Sequence, residues 1–106
     1  MAFTGDEGGM IDPKTAQAMI DSYRKDLAPN QTRSVFVGIN NLNAILAQGG
    51  VGIRVFFGRD GTGQNTVIIT AVTGDEKTMA PLDGSKTDGL ILDNNKNCPP
   101  YCPPVD

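Results

Sequence analysis

Both cysteines of the chain lie near its end, in the segment Cys98-Pro99-Pro100-Tyr101-Cys102. Thiolates at this C-x3-C spacing bind zinc when further ligands complete a tetrahedron. The sequence contains no His, so one chain cannot supply the usual set. A symmetric dimer that contributes both thiolates from each copy would complete a zinc site. Asp93 or Asp106 would offer oxygen ligands instead.

The same two cysteines also allow interpretations without a metal. An intrachain Cys98–Cys102 disulfide is sterically allowed, but we expect free thiols because the cytosol is reducing. Thioredoxin-type catalysis is not expected either, because it uses C-x-x-C at a helix N-terminus, and prolines withhold amide donors from the thiolate.

Prolines give the end of the chain its second candidate role. A polyproline II segment loses little entropy on ordering. It therefore suits a stiff strap over the chain's own domain, with Tyr101 as an anchor, and equally suits docking into an aromatic groove of a protein partner. The candidate partner-binding residues are Pro99, Pro100, Tyr101, Pro103 and Pro104.

Three other features resemble binding sites but fit structural roles. The glycine-rich segment 58–64 lacks the G-x4-G-K-[ST] pattern of a phosphate-binding loop and is interpreted as a hairpin turn. The segment 83–89 resembles a calcium loop, but Asn94 stands where a bidentate Glu is required. Arg54 lies mid-strand, where it either faces a ligand or extends over the solvent face of a sheet.

Composition excludes several classes of function. Without His there is no Ser-His-Asp triad or Cys-His dyad, and no pair of carboxylates is spaced to share a proton, so we predict a non-enzymatic protein with no catalytic residues. The net charge is −3 and the basic residues are scattered, which argues against binding nucleic acid. No apolar run approaches the roughly 20 residues of a membrane span. The first residues lack the pattern of a secretory signal, so we expect a cytoplasmic protein.

The order of patterns along the chain predicts one small α+β domain. Residues 1–10 are interpreted as a flexible N-terminal arm, residues 11–93 as the domain and residues 94–106 as a Pro/Cys-rich tail. We expect a two-layer fold in which two helices pack on one face of an antiparallel sheet of three or four strands.

The helices are predicted from capping and periodicity. Asp12-Pro13 begins a helix over 13–27, in which Ala16, Ile20, Tyr23 and Leu27 form an apolar stripe. A second helix is capped by Asn40 or Asn41 and stops at Gly49-Gly50.

The strands are predicted from β-branched and aromatic runs. Residues 51–58 and 65–73 form a β-hairpin, and the second of these runs is apolar on both faces, which indicates a central strand. Residues 34–37 and 90–92 are predicted as short strands.

Two motifs resemble a family of small uncharacterised Bacteroidetes proteins. They are Gly52-Ile-Arg-Val-Phe-Phe-Gly58, which matches a G-I-R-[IV]-[YF]-[FY]-G strand, and the terminal C-P-P-x-C. The resemblance covers most of residues 11–104. It implies a bacterial, cytosolic origin and says nothing about catalysis.

These observations lead to two functional hypotheses. The first is a structural or protein-interaction module that self-associates as a homo-oligomer or binds another protein, with the terminal arms as contacts. The alternative is a small metal-binding protein that uses Cys98 and Cys102 across a subunit interface, with zinc as the metal.

Overall fold

The computed structural model describes residues 2–78, 90–93 and 95–103. These residues form two helices and five strands, and every strand pair is antiparallel, which confirms the α+β class. The elements are, in chain order, α1 (Pro13–Arg24), β1 (Ser34–Phe36), α2 (Ile39–Leu46), β2 (Gly52–Arg59), β3 (Asn65–Val72), β4 (Ile91–Leu92) and β5 (Lys96–Cys98).

The predicted hairpin is the centre of the fold. Strands β2 and β3 pair without interruption from Gly52↔Val72 to Arg59↔Asn65. In the turn between them, one carboxylate oxygen of Asp60 accepts the backbone N–H of Thr62 at 2.9 Å and the backbone N–H of Gln64 at 3.0 Å. The hairpin prediction is therefore confirmed, and the turn chemistry sets its register.

The strands divide between two sheets. One has the order β2-β3-β4, which places β3 in the centre as its two apolar faces predict, and the other is the pair β1-β5. Strand β5, within the segment 94–106, was not expected because Lys96-Asn97-Cys98 has none of the apolar pattern of a strand. The side chains of Asn95 and Asn97 reach β3, bonding the carbonyl of Val67 and the hydroxyl of Thr66.

Helix α2 covers one end of the three-stranded sheet. Its Ile45 is 2% exposed and packs with Ile69 and Ala71, and these three residues form the core cluster. The partly buried Val37, Val67 and Leu92 surround this cluster. The helix begins at Ile39 after Gly38, without a side-chain cap, so Asn40 and Asn41 lie inside its first turn and the predicted Asn cap is wrong.

Helix α1 starts as predicted but does not join the core. Asp12 caps it, because its carboxylate accepts both the N–H and the hydroxyl of Thr15 at 2.8 Å. The helix ends at Arg24, earlier than expected, and none of its residues is buried. The expected packing of two helices on one face thus describes α2, whereas α1 leaves Ile20 and Tyr23 of its apolar stripe exposed.

The N-terminal segment and the segment that follows α2 both lie close to the sheet. The N–H of Phe3 donates to the carbonyl of Gly74 at 2.8 Å, and the guanidinium of Arg54 lies 5.5 Å from the centre of the Phe3 ring. Gly50 follows α2 and passes so close to Val72 that a Cβ there would lie 2.6 Å from the Val72 carbonyl oxygen. Only glycine fits this approach.

Candidate functional site

The face of the sheet that α2 covers is only partly closed. Register places Val55 opposite Ile69 and Phe57 opposite Val67, so all four side chains point to the same face. Ile69 is buried under α2, whereas Phe57 at the far end is 90% exposed. Helix α2 is eight residues long and covers the sheet only near Ile69, which leaves the Phe57 end open.

The open part of this face forms an apolar groove of about 1040 Å³. Residues of β1, β2 and β3 line it, together with Leu42 of α2. The aliphatic and phenyl side chains that line it are Val35, Val37, Leu42, Ile53, Val55, Phe57, Val67 and Ile69. Arg33 and Arg59 also line it. We refer to this surface as the apolar groove.

Helix α1 extends the apolar surface beside the groove. Its Tyr23 lines the groove and is 57% exposed, and Met19, one turn earlier, is 63% exposed. Ile20 of the same stripe is also exposed. An amphipathic helix normally buries its apolar stripe, so α1 and the groove together present an apolar surface that the chain does not cover with its described residues.

The candidate metal ligands are joined to each other. Cys98 and Cys102 form a disulfide with their Cα atoms 4.6 Å apart, contrary to the expectation of free thiols. Cys98 is fully buried, and Cys102 is exposed. Zinc binds thiolates, which a disulfide lacks. In the described parts of the chain, no three His, Cys, Asp or Glu residues cluster as a metal site.

The prolines between the cysteines form a turn and not an extended strap. The N–H of Tyr101 donates to the carbonyl of Asn97 at 3.0 Å, and the ammonium of Lys96 lies 4.9 Å from the centre of the Tyr101 ring. Gln64 of the hairpin turn donates its side-chain amide to the carbonyl of Pro99 at 2.6 Å. The loop is thus tied to the end of the β2–β3 hairpin.

Of the candidate partner-binding residues, Pro99, Pro100 and Tyr101 lie in the loop closed by the disulfide, and Pro103 follows it. Pro100, Tyr101 and Pro103 are exposed and Pro99 is half-buried. Pro104 lies outside the described residues, as does the segment 83–89 that resembles a calcium loop. That these prolines bind a partner stays a prediction.

The acidic residues with altered pKa values cap turns and helices. Backbone and hydroxyl donors lower the pKa of Asp12 at the start of α1, with Thr15 as the main donor. The hydroxyl of Thr62 is the largest cause of the lowered pKa of Asp60. Backbone N–H groups of Thr4 and Gly5 lower the pKa of Glu7 in the same way. These carboxylates are held as anions by local turns.

Arg54 lies away from the groove. Its position in β2 alternates with those of Val55 and Ile53, so its side chain points to the opposite face of the sheet, towards Phe3. Of the two sequence interpretations of Arg54, the structure shows the one in which it extends over neighbouring side chains. Its guanidinium lies over an aromatic ring of the chain's own N-terminal segment.

Sequence reasoning missed the groove because it treated every apolar stripe as core. The apolar alternation of β2 and the stripe of α1 both predict buried faces. Strand β2 and helix α1 nevertheless keep Phe57, Met19 and Tyr23 exposed. The sequence does contain a signal: β2 and α1 both carry apolar faces, and only the short α2 is available to cover them. The chain therefore has more apolar surface than it can bury.

Comparison of the chain with family models, curated proteins and solved structures finds no match. The resemblance to small Bacteroidetes proteins, through the β2 motif and the C-P-P-x-C segment, therefore stays a prediction. Neither described helix is long and apolar enough to cross a membrane.

Proposed function

We propose that this protein is a non-enzymatic structural module that self-associates, and that a second copy of the chain covers its apolar groove. The observation that carries this proposal is the exposure of the apolar surface formed by Phe57 of β2, Met19 and Tyr23 of α1 and the groove between them. Burial of such side chains stabilises a complex by about 1.5–3 kcal/mol each.

A second copy fits this surface better than a small ligand does. The exposed Met19 and Ile20 of α1 lie outside the lining of the groove, so a small molecule held in the groove would leave them uncovered. Another copy brings both a groove and a stripe, so each chain covers apolar surface of the other. A symmetric contact of this kind closes on itself.

The terminal segments have different parts in this proposal. The N-terminal arm contacts its own chain through Phe3 and Gly74, so it supports the sheet from the face opposite the groove. The loop closed by Cys98 and Cys102 exposes Tyr101 beside the hairpin and supplies an additional contact. The main contact is the groove.

The test is the mass of the protein in solution over a range of concentrations. Sedimentation equilibrium of the full chain, with the disulfide intact, is expected to give an oligomer that dissociates on dilution. A monomer at every concentration would refute self-association.

The disulfide also bears on the cellular compartment of the protein. A cytoplasmic location is predicted from the sequence, but a Cys98–Cys102 disulfide favours an oxidising environment. Labelling of free thiols in intact cells distinguishes the two: labelled cysteines support the cytoplasm, and unlabelled cysteines support an oxidising compartment.

A further inference from the structure

We propose that two copies of the chain join through their β2 strands, paired antiparallel around a two-fold axis at Val55, so that two three-stranded sheets become one six-stranded sheet. This inference rests on the self-association proposed above and adds a strand contact at the β2 side of the groove.

The outer edge of β2 is an open edge of the sheet. Strand β2 is eight residues long, stands at the end of the order β2-β3-β4, and pairs with β3 alone among the described strands. Its residues from Gly52 to Val55 are all exposed. An edge strand presents a row of unpaired N–H and C=O groups that can bind another strand.

Strand β2 has few of the features that protect edge strands. It contains no proline and no lysine, and its pairing with β3 runs through eight consecutive positions without a bulge. Proteins that stay monomeric usually place a proline, an inward-pointing charge or a bulge on such an edge. The charged residues of β2 are Arg54 and Arg59, and Arg59 is its last residue.

Arg54 and Arg59 make one register of the β2–β2 pair more favourable than its neighbours. With the axis at Val55, Ile53 lies opposite Phe57 of the second copy, and Val55 lies opposite Val55 of the second copy. On the other face Arg54 lies opposite Phe56 of the second copy, so no like charge faces its guanidinium. All three apolar side chains of the groove face therefore have apolar partners.

The neighbouring registers are less favourable. An axis at Arg54 places two guanidinium groups directly opposite each other, and like charges in that position destabilise a strand pair. An axis at Phe56 places Ile53 opposite Arg59 of the second copy. The register with its axis at Val55 avoids both the opposed guanidinium groups and the contact of Ile53 with Arg59.

The other described edge strands are poorer partners, because β1 and β5 have three residues each and β4 has two. Strand β1 is three residues long, so pairing with it uses less than half of β2. A contact between β2 of one copy and β1 of the next is also heterologous, and such contacts continue into rings or filaments. Pairing of β2 with β2 closes after two copies.

The proposed pairing also places the two grooves side by side. Ile53, Val55 and Phe57 of both copies lie on the same face of the joined sheet. Ile53 of each copy therefore lies against Phe57 of the other and covers part of the apolar surface at the β2 side of each groove. Phe3 lies on the opposite face, against Arg54, and does not obstruct this surface.

Cysteine cross-linking measures the proposed register. With the native disulfide intact, Val55→Cys adds a single free thiol, and residues directly opposite across paired strands have Cβ atoms about 4.5–5.5 Å apart. We expect mild oxidation to link most of the Val55→Cys chains into covalent dimers. Ile53→Cys and Phe57→Cys chains are the matched controls, because each thiol lies about 14 Å from its own copy in this register.

The decisive sample mixes the two control variants. Ile53→Cys chains and Phe57→Cys chains are each expected to stay unlinked alone and to cross-link with each other once mixed and allowed to exchange. Sedimentation of each variant before oxidation shows whether it still associates.

The outcomes separate the two proposals. Associated protein that gives neither the Val55→Cys link nor the mixed link overturns the β2 pairing and leaves self-association standing. Wild-type protein that is monomeric throughout overturns both. If Ile53→Cys chains alone cross-link as efficiently as Val55→Cys chains, the two-fold axis does not lie at Val55. That result also overturns the proposed register.

Discussion

Phe57 and Val67 lie directly opposite each other on β2 and β3, yet Phe57 is 90% exposed and Val67 is half-buried in the groove. Paired residues on one face of a sheet normally share one environment. The difference arises because β3 is central whereas β2 is an edge strand. An exposed Phe at the edge of an apolar face is the feature that a second copy would cover.

Substitution of Phe57 tests its role at the contact. Phe57→Ser removes a side chain that is exposed in the single chain, so the free energy of unfolding of the monomer should change little. Loss of about 1.5 kcal/mol or more of apolar burial raises the dissociation constant at least about tenfold. Sedimentation equilibrium measures this constant.

Ile39→Ser is the matched control for Phe57→Ser. Ile39 is also a large exposed apolar residue, but it begins α2 and does not line the groove. We expect this variant to associate as wild type does. Equal weakening by both substitutions would show that general surface hydrophobicity, and not the groove, drives association.

Ile45 tests the packing of α2 on the sheet. Ile45→Ala leaves a cavity between the helix and Ile69, and we expect the free energy of unfolding to fall by about 2–5 kcal/mol. Ile39→Ala on the same helix should change it by about 0.5 kcal/mol or less. Chemical denaturation at one fixed protein concentration measures both, and similar values for the two variants would contradict the assigned core.

The fold could be predicted where one local rule acted alone. The cap at Asp12, the β2–β3 hairpin and the central position of β3 follow from capping, turn chemistry and apolar pattern. Strand β5 could not be predicted, because Lys96 and Asn97 are polar and its pairing partner β1 lies 60 or more positions earlier in the chain.

The candidate site was less predictable than the fold. The sequence places Cys98 and Cys102 close enough to bond, but whether they hold a metal or each other depends on redox conditions that composition does not specify. The groove depends on how much of the sheet α2 covers. That follows from the length of the helix and its packing at Ile45, which a periodic pattern does not determine.

Asp60 gives a prediction about pH. Hydrogen bonds from Thr62 and Gln64 to its carboxylate lower its pKa below the ordinary 3.8. The folded turn therefore favours the ionised form, and its contribution to stability is present above about pH 4. That contribution is lost as the pH falls through the lowered pKa.

A carboxyl NMR titration of the folded protein measures this pKa directly. We expect the Asp60 midpoint below 3.8, and we expect it to rise towards that value in Thr62→Ala, which removes the hydroxyl donor. A midpoint at or above 3.8 in the wild type would contradict the described turn.

The cysteine loop gives a prediction about redox state. Intact mass spectrometry of freshly purified protein should show a mass lower by two hydrogens than after reduction. Reduction opens a short loop, which in the loop-entropy treatment lowers the free energy of unfolding by about 2 kcal/mol. Denaturation with and without reductant measures this difference.

The same samples test the zinc alternative. Reduced protein that binds zinc in proportion to chain, and loses it in Cys98→Ser, would establish the metal-binding hypothesis. Reduced protein that binds no zinc would refute the metal-binding hypothesis.

Sedimentation equilibrium of the full, disulfide-intact chain tests the central claim most directly. We expect a mass of twice 11.2 kDa at high concentration, which falls towards 11.2 kDa on dilution. A mass of 11.2 kDa at every concentration would contradict it and leave the apolar groove without the occupant proposed here.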